Sequence, residues 1–389
     1  MFTIDSYLPT RIVFGYGRLK ELASMELPGK KALICVTEDG LMAQLGVQQR
    51  VESLLRENGT EYVLFDRVCV NPPKSVVEAA VAVARENGCD FMLGLGGGAS
   101  IDVAKAAAAM MVNDGDLWDY GYTGTGGRRE LQKALPIVTI STTCGTGTET
   151  DQYCVITHDE TREKLDFTSE AIFPTISIID PELMMTLPRS LTIMQGFDAL
   201  FHNAECYVTN GHRNRLLDLY SADGVKVVAE NLTKVVNDPT DAQARTNLAY
   251  AADILGGYSM ALDSVTSHHI LAQTLGGYYP GFPHGATLIV VAEAYYKRVC
   301  SLLPDEFDEL GELMGETRDP ANPGYAYVKA LIRLLDETGA RSMKMSEYGV
   351  KKEDFQKIVD MTVDQVGIAL DRYQLTKQDF MDMLEESYR

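Results

Sequence analysis

Strand and helix patterns alternate through the first half of this chain and give way to long helical patterns in the second. This predicts an α/β domain followed by an all-α domain. Three observations carry the prediction. Short apolar runs such as KALICVT, DFMLGLG and ALPIVTI alternate with stretches at helical spacing. Two of those runs lead straight into glycine-containing loops. From about Pro188 onward strand signals nearly vanish. The boundary falls near residues 183–190, giving an α/β domain over 1–185 and an all-helical domain over 186–389.

In chain order, KALICVTEDG reads as a strand ended by acidic residues and Gly40. LMAQLGVQQRVESLLRENG has apolar positions at helical spacing and stops at Gly59. EYVLFDRV is a strand, and SVVEAAVAVARENG an amphipathic helix ending at Gly88. DFMLGLGGG is a buried strand running into glycines, followed by the helix ASIDVAKAAAAMMV and the strand ALPIVTIST. CVITHDETREKLDFT reads as a β-hairpin with HDETRE as its connection, and TISIIDPEL as a closing strand with an Asp-Pro stop. Ser190 is placed to cap the helix that carries GFDALFHNAECY. Further helical patterns follow in RLLDLYSADGVKVVAENL, DAQARTNLAYAADILGGYSMAL, YVKALIRLLDETGA, KKEDFQKIVDMTVDQ and KQDFMDMLEESYR.

The 389 residues suffice for two domains with separate cores. A formal charge of −20 argues against a nucleic-acid surface or an anionic membrane as partner. No apolar run reaches the roughly 18 residues that a membrane span needs. The start, MFTIDSYLPTRIVFGYG, lacks a basic region followed by an apolar one, so no signal peptide is expected. The seven cysteines are odd in number and scattered, with no CxxC. That argues against a disulfide framework or a cysteine-held zinc and for reduced thiols in a cytoplasmic protein.

LGLGGGASIDVAK sets Gly96, Gly97 and Gly98 between a strand and a helix start. Glycines let the backbone pass close to a ligand, and a helix N-terminus offers N–H groups and positive potential to a pyrophosphate. The spacing is neither GxGxxG nor a P-loop, and a merely tight turn is the plain alternative. STTCGTGTETD places Thr142, Thr143, Gly145 and Thr146 after another strand. Ligands of open parallel sheets bind at such strand ends, so the two loops together could cradle one dinucleotide. Glu38 ends the strand ALICVT, where a carboxylate can accept from ribose hydroxyls and would repel a 2′-phosphate. This favours NAD over NADP; an ordinary acidic loop residue is the alternative.

The chain has six histidines. Asp198 and His202 in GFDALFHNAECY are four apart, one turn on the same helix face. SHHILAQTLGGYYPGFPHG adds His268, His269 and His284. One carboxylate with three imidazoles, one of them from the 268/269 pair, can hold a divalent transition metal with a position open for substrate. The plain alternative is a surface Asp/His pair and a few packing histidines.

Taken together, these stretches resemble the iron-dependent (group III) alcohol dehydrogenase family over nearly the whole chain. GGGASIDVAK is similar to the family's GGGSxxDxxK, ISTTCGTGTE to IPTTxGTGSE, and GFDALFHNAECYV to GMDALxHxxExYV. HHILAQTLGG and the following FPHG resemble HxxxHxLGG and PHG. The resemblance implies an α/β N-terminal dinucleotide-binding domain with a Rossmann-like parallel sheet plus an all-α C-terminal domain. It implies hydride transfer between NAD(H) and a small alcohol or aldehyde, acting through a divalent metal, Fe²⁺ first and Zn²⁺ second. It makes Asp198, His202, His269 and His284 the metal ligands. His269 is chosen over His268 because it stands six residues before Leu275 of the LGG turn, where the family's ligand lies. The implied cofactor contacts are Glu38, Asn71, Gly96, Gly97, Gly98, Asp102, Thr142, Thr143, Thr146 and Lys164. A homodimer or larger homo-oligomer is implied as well.

Three departures stand out. Ala99 replaces the family's usual Ser. The loop between LGG and PHG is one residue longer, with Pro280 and Gly281. Gln273 takes the place of the second His of HxxxH, a group associated with the nicotinamide and proton relay. Glutamine cannot titrate, so water and a cofactor hydroxyl, or another residue, would have to move that proton. Two rival readings share the architecture: a metal-dependent lyase of the dehydroquinate synthase type, and a non-catalytic NAD-binding relative.

Overall fold

In the computed structural model, which describes residues 4–368 and 370–389, the apolar runs of the first half pair into a parallel sheet. Its strands are β1 (Arg11–Phe14), β2 (Lys31–Thr37), β3 (Glu61–Val68), β4 (Phe91–Gly96), β5 (Ile137–Ser141) and β8 (Ile176–Ile179). β6 (Tyr153–Thr157) and β7 (Lys164–Thr168) form a separate antiparallel hairpin joined by residues 158–163, the expected HDETRE connection. β4 and β5 are buried at every position, which is why their sequences run continuously apolar instead of alternating. β1, the short run RIVF paired with β8, was not anticipated; four residues of which only Val13 is buried carry too little periodicity to read.

The sheet order is β1-β8-β5-β4-β2-β3. From β2 the chain steps outward to β3, then returns to the far side of β2 to lay down β4. The direction of winding therefore reverses between β2 and β4, and their C-terminal ends flank a topological switch point. Glu38 follows one of these strands and Gly97 the other.

Three helices cover this sheet: α1 (Val47–Asn58), α2 (Lys74–Asn87) and α3 (Gly98–Met110). The expected single helix over LMAQLGVQQRVESLLRENG is in fact two, Leu41–Gln44 and α1, because Gly46 adopts a left-handed φ of 72° between them. α3 is buried along most of its length, including Lys105. That ammonium is satisfied by Asp151 Oδ1 (2.9 Å), Asp151 O (2.9 Å) and Tyr153 O (2.8 Å), which ties α3 to the start of the hairpin. α3 also lies very close to β4: a Cβ built on Gly94 would stand 2.8 Å from Ile101 Cα.

The chain forms two compact units, Leu8–Thr186 and Leu187–Arg389, the second also taking in residues 4–7. Among the described residues of the second unit there is no strand. Its helices include α4 (Arg189–Asn210), α5 (Arg215–Asn237), α6 (Ser267–Tyr278) and α7 (His284–Val299). The expected cap at Ser190 is a correction: α4 opens at Pro188, whose carbonyl accepts from Thr192 N at 2.9 Å. Proline has no N–H to leave unsatisfied, so it starts the helix earlier and puts Ser190 inside the first turn. Between α5 and α6 the run 242–262 is helical, and its middle, Tyr250–Gly256, is wound as π-helix. Asn203 of α4 donates to Ala251 O there at 3.1 Å, filling a carbonyl that the wider winding leaves for a side chain.

Replacing Gly94 by Ala would press a methyl group onto backbone that cannot retreat without lifting α3 from the sheet. The expected cost is about 1–3 kcal/mol, read as a lower midpoint of urea unfolding with an unchanged slope.

Candidate metal centre

α4 is buried from Thr192 to Asn210 apart from Gln195, and it presents Asp198, His202 and Glu205 at i, i+4 and i+7 on one face. α6 begins at its cap Thr266, so His268 and His269 lie in its first turn. α7 begins at Pro283, which makes His284 its first residue. Local chemistry at the two helix starts thus sets where the imidazoles emerge.

The four ligands expected from the sequence meet at one oxygen. Asp198 Oδ1 stands 3.5 Å from His269 Nε2, 3.7 Å from His284 Nε2 and 3.7 Å from His202 Nδ1. Asp198, His269 and His284 each offer a ligand atom within 4.8 Å of the others. The His202 ring stacks on His269 with centroids 4.5 Å apart. Donors at about 2.1 Å from a common ion stand roughly 3–4 Å from one another, which the three imidazole distances to Asp198 match, although His202 reaches Asp198 without joining the mutual grouping of Asp198, His269 and His284. Asp198 Oδ1 and His269 Nε2 are moreover buried without a hydrogen bond among the described residues. Three imidazole nitrogens and one carboxylate suit Fe²⁺ or Zn²⁺.

Burial pushes the Asp198 carboxyl up, but His202, His269 and His284 outweigh it and hold the group at about 2. Burial pulls the His269 imidazolium down; Glu205 first, and then Asp198, reverse this and raise it to about 9. Glu205, a residue not singled out in the sequence, is likewise buried, and the charges of His269 and His268 hold it well below the usual carboxylate range. Its Oε1 lies 2.7 Å from His268 Nδ1 and 2.9 Å from His269 Nδ1. The signal available was its place one further turn along the Asp198/His202 face. His268 turns away from Asp198, its Nε2 facing Leu288 O at 3.1 Å. Gln273, one turn after His269, is nearly buried, and its Oε1 has no hydrogen bond among the described residues.

The first unit gathers most of the expected cofactor residues at one sheet edge. β4 and β5 are parallel neighbours, so the loops that follow them emerge side by side. A Cβ on Gly97 would stand 2.9 Å from Thr143 Cγ2, and one on Gly98 2.7 Å from Thr146 Cγ2. Gly96 has φ 143°, and its carbonyl accepts from Thr142 N at 3.0 Å. The glycines are therefore needed for the contact of loop on loop as well as for any ligand. α3 starts at Gly97 without a side-chain cap, and Thr146 Oγ1 is buried with no hydrogen bond among the described residues. An anion at this helix start would find N–H groups and a hydroxyl. Glu38 is exposed at the end of β2. Lys164 of β7 donates to Asn71 Oδ1 at 2.9 Å, joining two expected contacts. Asp102 is set apart from the rest. Its oxygens accept from Thr148 Oγ1 (3.0 Å) and Val155 N (3.2 Å), so it braces α3 against the hairpin, and burial pushes it up to about 7.

A pH dependence follows for the metal-free protein. A histidine raised from 6.5 to about 9 on folding adds stability that is complete below 6.5 and is lost as pH rises through about 9. Thermal unfolding of the metal-free protein is expected to shift downward over that window. His269→Gln should flatten the dependence, and saturating metal should reverse it, because the ligand nitrogen must be unprotonated.

Comparison with known proteins places both halves of the chain in one family. Residues 9–181 match the family described as iron-containing alcohol dehydrogenase, and residues 192–388 match the C-terminal part of the Fe-containing alcohol dehydrogenase family. The chain is 31% identical to alcohol dehydrogenase 4 of Saccharomyces cerevisiae (strain YJM789), covering 98% of both chains. It is 35% identical to 1,3-propanediol dehydrogenase of Klebsiella pneumoniae, covering 87% of this chain and 86% of that one. The solved structure of NADH-dependent butanol dehydrogenase A from Thermotoga maritima superposes with a TM-score of 0.89 at 29% identity, covering 100% of this chain and 99% of the other. The metal-shaped cluster on α4, α6 and α7 and the paired glycine and threonine loops thus occur in a chain that belongs, by both of its halves, to the iron-containing alcohol dehydrogenase family.

Proposed function

We propose that this protein interconverts a small alcohol and its aldehyde by hydride transfer with NAD(H), using a divalent metal held by Asp198, His202, His269 and His284. The observation that carries the reading is the convergence of three imidazoles on the buried Asp198 Oδ1 at 3.5–3.7 Å. A metal in such a site supplies Lewis acidity toward a substrate oxygen. The relatives' names support the substrate and the cofactor: an alcohol dehydrogenase, a 1,3-propanediol dehydrogenase and an NADH-dependent butanol dehydrogenase.

The residues of this chain divide the remaining tasks. The start of α3 and Thr146 offer donors to the dinucleotide's pyrophosphate, and Thr142 and Thr143 line the neighbouring loop. Glu38, at the switch point, accepts from ribose hydroxyls and disfavours a 2′-phosphate. Asn71 and Lys164 hold each other 2.9 Å apart, with the lysine as donor toward a bound cofactor. Gln273 can accept or donate a hydrogen bond but cannot take up a proton, so its part is to hold and not to relay. The reading extends to a cytoplasmic homodimer or larger homo-oligomer, and no helix among the described residues is long and apolar enough to cross a membrane.

The test follows NADH and NADPH absorbance with a panel of short aldehydes, after the metal is stripped and Fe²⁺ or Zn²⁺ is restored. Metal-dependent NADH oxidation, with NADPH much poorer, is expected. Phosphate release without net change in NADH would favour a lyase of the dehydroquinate synthase type, and silence with every metal a non-catalytic relative. His269→Ala should reduce turnover to background while NADH binding persists; retained turnover would remove His269 from the ligand set. Glu38→Ala should narrow the preference for NADH over NADPH.

A further inference from the structure

Glu205 is fully buried and coordinates nothing in the proposed ligand set, yet donors reach both of its oxygens. Oε1 accepts from His268 Nδ1 (2.7 Å), His269 Nδ1 (2.9 Å) and Tyr296 OH (3.1 Å). Oε2 accepts from Thr266 N (2.8 Å) and Thr266 Oγ1 (2.9 Å). These contacts act at three places. On His269, Glu205 keeps a proton on Nδ1, so it is Nε2, on the Asp198 side of the ring, that would give up its proton and offer its lone pair to a metal. At Thr266, the carboxylate holds the cap residue of α6 and so fixes where that helix begins and which way His269 leaves it. Through His268, whose Nε2 faces Leu288 O at 3.1 Å, the same oxygen reaches α7 one turn beyond His284. One side chain on α4 therefore ties together the three helices from which the expected ligands come.

We propose that Glu205 is the positioning carboxylate of the metal centre, setting metal affinity by fixing the ring orientation and tautomer of His269 and the register of α6 against α4 and α7. The inference rests on the metal reading above and adds a residue that touches neither substrate nor ion. Glu205, His268 and His269 also lie close enough together to hold an ion themselves. Separations of 2.7 and 2.9 Å are hydrogen-bond lengths, however, and the donors already satisfy the carboxylate, so one ion per chain is expected and not two.

The experiment compares wild type, Glu205→Gln and Glu205→Asp as metal-free full-length proteins. Zn²⁺ and Co²⁺ are titrated against a chromophoric chelator, with the visible spectrum of the Co²⁺ form as a second readout. Glu205→Gln keeps the shape but must turn its NH₂ either to the two donating rings or to the donating Thr266 N–H, so one side loses its acceptor, and about 10–100-fold weaker metal binding with altered Co²⁺ bands is expected. Glu205→Asp keeps the charge at shorter reach and should fall between the other two, which preserves the test should the glutamine variant fail to fold. NADH binding should be unchanged in both. Wild-type metal affinity in folded variants, with only the unfolding midpoint lowered, would overturn the proposal and leave Glu205 a purely structural residue. Two ions per wild-type chain would overturn it in favour of a second site. A wild-type chain that binds no metal would instead overturn the metal reading beneath it.

Discussion

A carboxylate taken out of water must find positive or donating partners, or it is protonated instead. Asp198 and Glu205 are two such carboxylates, two turns apart on one buried helix, and most of their partners come from α6 and α7. The second unit is organised around satisfying them. α4 is buried almost throughout, so its polar face has no solvent to turn to. The histidines that answer Asp198 converge on one of its oxygens, and that convergence leaves the room and the lone pairs that an ion requires. The same arrangement that makes the charges tolerable makes the site receptive to metal.

The first unit rests on a steric constraint instead. β4 and α3 approach so closely that glycine is required at position 94, and the loops after β4 and β5 approach so closely that Gly97 and Gly98 have space for no side chain. Close packing at that sheet edge brings a helix N-terminus and the threonine loop together beside the switch point between β2 and β4. Lys105 and Asp102 secure the arrangement from beneath, one to the strand entering the hairpin and one to Thr148 and the hairpin backbone. Asp102 lies within the glycine motif, but both of its oxygens are used by the protein itself.

Much of this could be read from residue order. The continuous apolar runs of β4 and β5, the helix stops at Gly59 and Gly88, and the HDETRE connection depend on local spacing, and local spacing is written in sequence. The candidate ligands were legible because Asp198 and His202 share a helix face and because HHILAQTLGG and FPHG, which carry His269 and His284, resemble motifs of a known family. Less legible were β1, too short to show a period, the break at Gly46 and the opening of α4 at Pro188. There a single backbone conformation decides, and periodicity does not report it. Glu205 escaped notice because its importance lies in what reaches it from Thr266, His268 and Tyr296, all distant in the chain.

Residue order alone carried the fold class and the two loops at strand ends, which depend on residue type and short-range spacing, while the four candidate metal ligands were named by the resemblance of their motifs to a known family. Tertiary structure alone decided which oxygen the imidazoles converge on, which nitrogen of His269 is turned toward it, and that the glycines meet threonines across the sheet edge. Those are distances between segments far apart in the chain. They are set by helix packing and strand order, which no local pattern encodes.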